Sequence, residues 1–253
     1  MRTLHGKVAL VTGGARGFGQ AIAHRLAQDG ADIVIADTGD GAETVRIVEA
    51  TGRAAVAIRC DISAPDQVAM LQQQIDDRFG RCDILVNNAG IYPTSKFEDI
   101  ALEEWRRVMS VNVDGPFLLA KAFLPGMRRR SWGRIVNIAS NTISRVITER
   151  SSYITSKTAL VGFTRALASE YGPYGITVNA VSPGRSRTPG VLEDVGGAAA
   201  AEERFQAAAK LQAIPRVQEP SDLVGAVSFL CSDDTAFITG QLINVDGGLV
   251  RSV

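Results

Sequence analysis

A glycine-rich turn set between an apolar run and a helical pattern constrains this chain more than any other stretch. Val8-Ala9-Leu10-Val11 is apolar without alternation, as expected of a strand buried on both faces. Thr12-Gly13-Gly14-Ala15-Arg16-Gly17-Phe18-Gly19 follows at once, and a helical pattern runs over 20–29. Glycines at 13, 17 and 19 permit a tight turn, let a pyrophosphate approach the backbone and allow close helix–strand packing. The helix start offers unpaired N–H groups and a partial positive charge to phosphates. Placed after a strand and before a helix, the turn predicts the first crossover of an open α/β sheet that binds a dinucleotide.

The strand–helix rhythm then continues. Ile33-Val34-Ile35-Ala36 ends at Asp37, where a carboxylate accepts from an adenosine ribose and repels a 2′-phosphate. That favours NAD over NADP, although Arg16 pulls the other way. A helix is expected over 41–51, and a strand over 54–59 ending at Cys60-Asp61-Ile62. Another helix follows Pro65, with Ser63 as its expected cap. Asp83-Ile84-Leu85-Val86 leads into Asn87-Asn88-Ala89-Gly90. Asp61 and Asn88 thus fall at strand carboxyl ends, where ligands of such sheets collect. Small residues at 89 and 90 leave space for an adenine or ribose. One long helix is expected over 102–130, flawed at Pro116. Proline has no N–H, so the Asn112 carbonyl loses its helical partner and is expected to accept from a water linking Lys157 to solvent.

Chemistry concentrates further on. The run 134–139 reads as a buried strand that carries Ser140 at its carboxyl end. Tyr153 and Lys157 are four apart on the next helix and project from one face. Tyrosine titrates near ~10, and a fixed ammonium ion beside it favours the phenolate. The tyrosine is then expected to exchange a proton with an alcohol near neutral pH, while the Ser140 hydroxyl holds the same substrate oxygen. After a strand over 176–181 the rhythm breaks across 185–219, a long excursion with one helix expected over 198–210 and no strand, expected to act as a substrate lid. Arg145, Arg150, Arg185 and Arg187 read as a solvated rim in preference to an anion site. A helix over 221–232 and a strand over 241–245 complete the pattern.

Composition narrows the remaining classes. The 253 residues suit one α/β domain, and Lys+Arg and Asp+Glu both number 27, so no basic surface for nucleic acid is expected. No apolar run approaches the ~18 residues that span a membrane, and the first strand leaves no room for a signal peptide. The three cysteines are far apart and only His5 and His24 are present, which disfavours disulfides and a metal centre and points to the cytoplasm.

These residues resemble, in order and spacing over essentially the whole chain, the short-chain dehydrogenase/reductase family. The matches are TGGARGFG at 12–19, Asp37, Asp61, NNAG at 87–90, Asn112, Ser140, YITSK at 153–157, PG at 183–184 with Thr188, and ITGQ…VDGG at 238–248. The resemblance implies a Rossmann-type, doubly wound parallel sheet of about seven strands in a single domain, and a homotetramer. It implies Asn112, Ser140, Tyr153 and Lys157 as the catalytic set. Cofactor contacts are implied at Gly13, Arg16, Gly17, Phe18, Gly19, Asp37, Asp61, Ile62, Asn88, Tyr153, Lys157, Gly184, Ser186 and Thr188. Phe18 and Ser186 depart from the usual aliphatic residues. Segments at 81–93, 120–127 and 211–216 resemble a group of NAD-dependent secondary-alcohol dehydrogenases. A secondary alcohol, aryl-bearing among the candidates, or its ketone is therefore the expected substrate; a 3-oxoacyl thioester or sugar reductase is the alternative, and a non-catalytic dinucleotide sensor a more distant one.

Overall fold

Seven strands alternate with helices in a computed structural model that describes residues 4–145, 147–194 and 198–251. In chain order they are β1 Val8–Thr12, α1 Gly17–Gln28, β2 Asp32–Asp37, α2 Ala42–Glu49, β3 Ala55–Arg59, α3 Pro65–Phe79 and β4 Ile84–Asn87. There follow α4 Leu102–Met109, α5 Gly115–Arg129, β5 Gly133–Ile138, α6 Ser151–Tyr171 and β6 Ile176–Pro183. The chain closes with α7 Pro189–Asp194, α8 Ala198–Ala209, α9 Pro220–Cys231 and β7 Leu242–Val245.

The sheet order is β3-β2-β1-β4-β5-β6-β7, and every pairing is parallel. Parallel strands need crossovers, so both faces are covered and the central strands carry apolar side chains in both directions. One core layer packs Ile22, Leu26, Val48, Leu223 and Leu230 of α1, α2 and α9 against the sheet. The opposite layer packs Val68, Leu71, Ile75, Leu119, Phe123 and Leu167 of α3, α5 and α6. The chain reverses direction across the sheet between β1 and β4, and a crevice opens there at the strands' carboxyl ends.

Three local expectations are corrected. The helix over 102–130 is two helices joined by a π-turn, Ser110–Asp114, in which the Gly115 N–H donates to the Ser110 carbonyl. Ser63 does not cap α3; the N-cap is Ala64, because the Ser63 hydroxyl donates to Asp61 Oδ1 at 2.6 Å instead. The excursion over 185–219 holds two helices, α7 and α8, rather than one. Its ends are joined where Ser186 bridges Gln218 and the Arg187 N–H donates to the Gln218 carbonyl at 3.0 Å.

Candidate active site

The turn after β1 is wound tightly enough that side chains are excluded from it. A Cβ at Gly19 would overlap the Gly13 carbonyl and lie 2.7 Å from Asn88 Nδ2; one at Gly13 would lie 2.9 Å from Ala89 Cα. Gly13 and Gly17 also have φ of 62° and 61°, in the left-handed region that favours glycine. Asn88 holds the turn from the neighbouring strand, its amide donating to the Thr12 carbonyl at 2.9 Å and the Gly13 carbonyl at 3.0 Å. Both amide hydrogens are thereby used, so Asn88 faces the crevice chiefly as scaffold.

At the end of β2, Asp37 accepts from the Ala15 N–H and the Gly39 N–H, each at 2.9 Å. One carboxylate oxygen is bound by each, which fixes the group and leaves each oxygen a further lone pair. Arg16, exposed at the crevice mouth, is more strongly screened by solvent. After β3, Asp61 accepts from Ser63 and pairs with Arg107 at 3.3 Å; the Ser63 hydrogen bond, ahead of that cation, keeps its carboxyl below the usual range.

The reacting end lies where β5 meets α6. Ser140 leaves β5 in an extended conformation, and its Oγ accepts from the Thr142 N–H at 3.3 Å and the Thr142 hydroxyl at 2.9 Å. Ser140 also hydrogen-bonds with the Tyr153 hydroxyl. Lys157 is buried in the next turn of α6, its Nζ donating to the Ile138 carbonyl at 2.7 Å and lying 5.9 Å from the Tyr153 ring centroid. Burial pushes the Lys157 pKa down to about 8. Burial likewise raises that of Tyr153, opposed by the Ser140 hydrogen bond and then by Arg150. The expectation that Lys157 draws Tyr153 downward is therefore corrected for the cofactor-free protein: desolvation dominates, and the opposing cation is Arg150.

Asn112 sits behind this surface. Its side chain brackets Ile91, accepting from the Ile91 N–H and donating to the Ile91 carbonyl at 2.9 Å each, and donates to Ser156 Oγ at 2.9 Å. A Cβ at Gly90 would lie 3.2 Å from Asn112 Oδ1 and 3.4 Å from Lys157 Nζ. The small residue at 90 thus makes room for these two side chains, and with Ala89 it lines the cleft.

A cleft of about 500 Å³ joins the two ends. All the expected site residues line it except Gly19, packed beneath the turn, and Asn112. Ile91, Tyr92, Thr142, Arg150 and Leu249 line it as well and were not assigned to the site from sequence. Arg150 is a second correction: at 8% exposure it is part of the wall and not a solvated rim, with its guanidinium on the Tyr92 carbonyl. Arg187 is exposed and paired with Glu202 and Glu219. Among the described residues no group of three His, Cys, Asp or Glu is placed to hold a metal ion, and no helix is long and apolar enough to cross a membrane.

The turn that excludes Cβ atoms, the anchored carboxylate at β2 and the Ser140–Tyr153–Lys157 cluster on one cleft define a dinucleotide-dependent oxidoreductase. The chain belongs to the short-chain dehydrogenase/reductase family, whose members use a nicotinamide dinucleotide. The matching family description, "Enoyl-(Acyl carrier protein) reductase", spans residues 13–250. A 3-oxoacyl-[acyl-carrier-protein] reductase FabG from Vibrio cholerae is 36% identical over 97% of this chain and 98% of its own. A Sinorhizobium meliloti protein named as a short-chain alcohol dehydrogenase superposes with a TM-score of 0.91 at 37% identity over 99% of both chains. One from Beutenbergia cavernae, named as an NAD(P)-dependent gluconate 5-dehydrogenase and holding NADP at low occupancy, superposes with a TM-score of 0.91 at 36% identity over 99% of both chains.

Thr142→Val keeps the shape of residue 142 but removes the hydroxyl donor to Ser140. It is expected to lower kcat by roughly fivefold with cofactor affinity unchanged, the weight of one hydrogen bond of about 1 kcal/mol. Thr142→Ser should restore the rate; initial rates and a cofactor titration on the three proteins decide it.

Proposed function

We propose that this protein is an NAD-dependent oxidoreductase interconverting a secondary alcohol and its ketone. The observation that carries the reading is Ser140 hydrogen-bonded with Tyr153 beside buried Lys157, at the end of a cleft whose other end carries Asp37. The nicotinamide supplies the hydride acceptor or donor. Tyr153 takes the hydroxyl proton of the alcohol as it is oxidised, or returns it to the ketone oxygen. Ser140 donates a hydrogen bond to that same oxygen, and Lys157 presents its ammonium to the nicotinamide ribose and to Tyr153. The Asn112 carbonyl, with no donor available from Pro116, takes a water that connects Lys157 to solvent.

Asp37 supports NAD, because its charge stands fixed where a 2′-phosphate would bring two more negative charges. The 36% identity to a 3-oxoacyl reductase favours a second reading, reduction of a thioester-bound ketone, in which the excursion over 185–219 admits a longer acyl chain. We infer a homotetramer through α4, α5 and α6, supported by the exposed apolar Leu102 and Phe117 on α4 and α5.

Initial rates with NAD and NADP over 1-aryl ethanols, plain cyclic and linear secondary alcohols and a 3-oxoacyl thioester test the assignment. Turnover of alcohols with NAD is expected, and Asp37→Asn should narrow the NAD:NADP ratio of kcat/KM by about tenfold or more, the weight of one charged hydrogen-bond acceptor. A wild-type preference for NADP would mean that Arg16 outweighs Asp37. Turnover confined to the thioester would replace the alcohol reading with the second one.

A further inference from the structure

We propose that Tyr92 is the fixed stop on which α7 seats, and that Gly190 is the residue that lets it seat. The starting observation is steric: a Cβ built at Gly190, in α7, would overlap the Tyr92 hydroxyl. Gly190 is not among the glycines with positive φ, so its backbone does not require glycine. Glycine within a helix is less favourable than alanine. The space taken by the Tyr92 hydroxyl is what accounts for it.

Tyr92 is in no position to yield. Asn112 holds both backbone polar groups of Ile91. The Arg150 guanidinium donates to the Tyr92 carbonyl and stands 5.8 Å from the Tyr92 ring centroid. Three residues on, the Ser95 N–H donates to the Glu149 carbonyl at 3.0 Å. On its other side the Tyr92 ring meets Tyr153 edge to face, with centroids 6.0 Å apart and planes at 69°. Any added bulk at 190 must therefore displace α7.

The same short segment also reaches the dinucleotide end. A Cβ at Gly17 would lie 3.6 Å from Thr188 Cβ and 3.7 Å from Pro189 Cδ, so the residues entering α7 roof the glycine-rich turn. Thr188, Pro189 and Gly190 thus span from that turn to the ring packed on Tyr153. Lifting Gly190 off Tyr92 would open the cleft over both ends at once, and the fit at one hydroxyl sets how far α7 closes.

The seat is read by limited trypsin digestion of the cofactor-free protein, following cleavage after the exposed Arg187, Arg204 and Lys210. Gly190→Ala is expected to be cut roughly fivefold faster or more than wild type, the factor that overpacking one contact produces. Tyr92→Phe removes the atom that the new methyl would meet. Tyr92→Phe with Gly190→Ala is therefore expected to return to within about twofold of Tyr92→Phe alone, the non-additivity of two residues in contact. The KM of whichever alcohol or thioester is turned over should follow the same pattern. The proposal rests on the dinucleotide-dependent reading only for that second readout. Protection rescued in the double variant without turnover of any alcohol would retain the seat and reject the alcohol assignment. Wild-type digestion of Gly190→Ala, or a double variant cut as fast as Gly190→Ala, would overturn the seat.

Discussion

Tyr153→Phe is expected to bind nicotinamide dinucleotide as the wild type does and to lose about 10²–10⁴-fold in kcat, the usual contribution of a positioned acid or base. The substitution keeps the ring that packs edge to face on Tyr92 and removes only the hydroxyl bonded to Ser140. Burial raises the Tyr153 pKa above the ordinary phenol value, so the residue is a phenol at neutral pH. In that form it donates a proton, as ketone reduction requires, and must first lose one to serve alcohol oxidation. Wild-type oxidation should accordingly accelerate with rising pH through the alkaline range, while reduction slows as the phenol ionises. The residual activity of Tyr153→Phe should show neither trend from this group. A Tyr153→Phe enzyme with wild-type kcat, or with the wild-type pH profile, would remove Tyr153 from the proton path.

The fold was legible because its signals are local and repeated. Most strands announce themselves as short apolar runs, as at 8–11 and 33–36, and the crossover helices by periodicity; the parallel sheet of about seven strands was what the family resemblance implied. The glycine-rich turn, Asp37, Ser140, Tyr153 and Lys157 were legible for a related reason: each sits at a strand end or on a helix face whose direction the pattern defines. What escaped was set by contacts distant in sequence. Gly90 is small because Asn112 and Lys157, 22 and 67 residues further along, converge on it. Arg150 looks like a rim residue in a polar loop, and only the Tyr92 carbonyl 58 residues away shows it to be wall. Ser63 had the chemistry of a cap and spent it on Asp61. Pro116 correctly marked an interruption between α4 and α5, but the backbone resolved it upstream, as a π-turn at Ser110–Asp114. Thr142 carried a usable signal, a hydroxyl two residues after Ser140.

Lys157→Met is expected to abolish most activity and yet to make the cofactor-free protein more stable. Lys157 is 4% exposed, and burial alone pulls its pKa from 10.5 to about 8. At pH 7 the side chain is still charged, so the folded protein carries the cost of a desolvated cation that the unfolded chain does not. Methionine fills a similar volume without that charge. Its one drawback is the Ile138 carbonyl, which loses the 2.7 Å donor. With the two effects opposed, a net gain on the order of 1–2 kcal/mol follows, or about 2–8 °C in Tm for a chain of this size. The pH dependence separates this account from a general packing effect. Between about 8 and 10.5 the unfolded chain binds a proton at this lysine that the folded protein does not, so wild-type stability gains from this residue as pH rises through that window. The advantage of Lys157→Met should therefore be full below about pH 8 and shrink toward pH 10, in thermal melts of the cofactor-free proteins. A variant less stable than wild type at pH 7, or a difference independent of pH, would show that the buried ammonium is not under strain. A gain that shrinks with pH, together with lost turnover, would mean that the fold keeps a destabilising charge at the position where the proposed chemistry uses it.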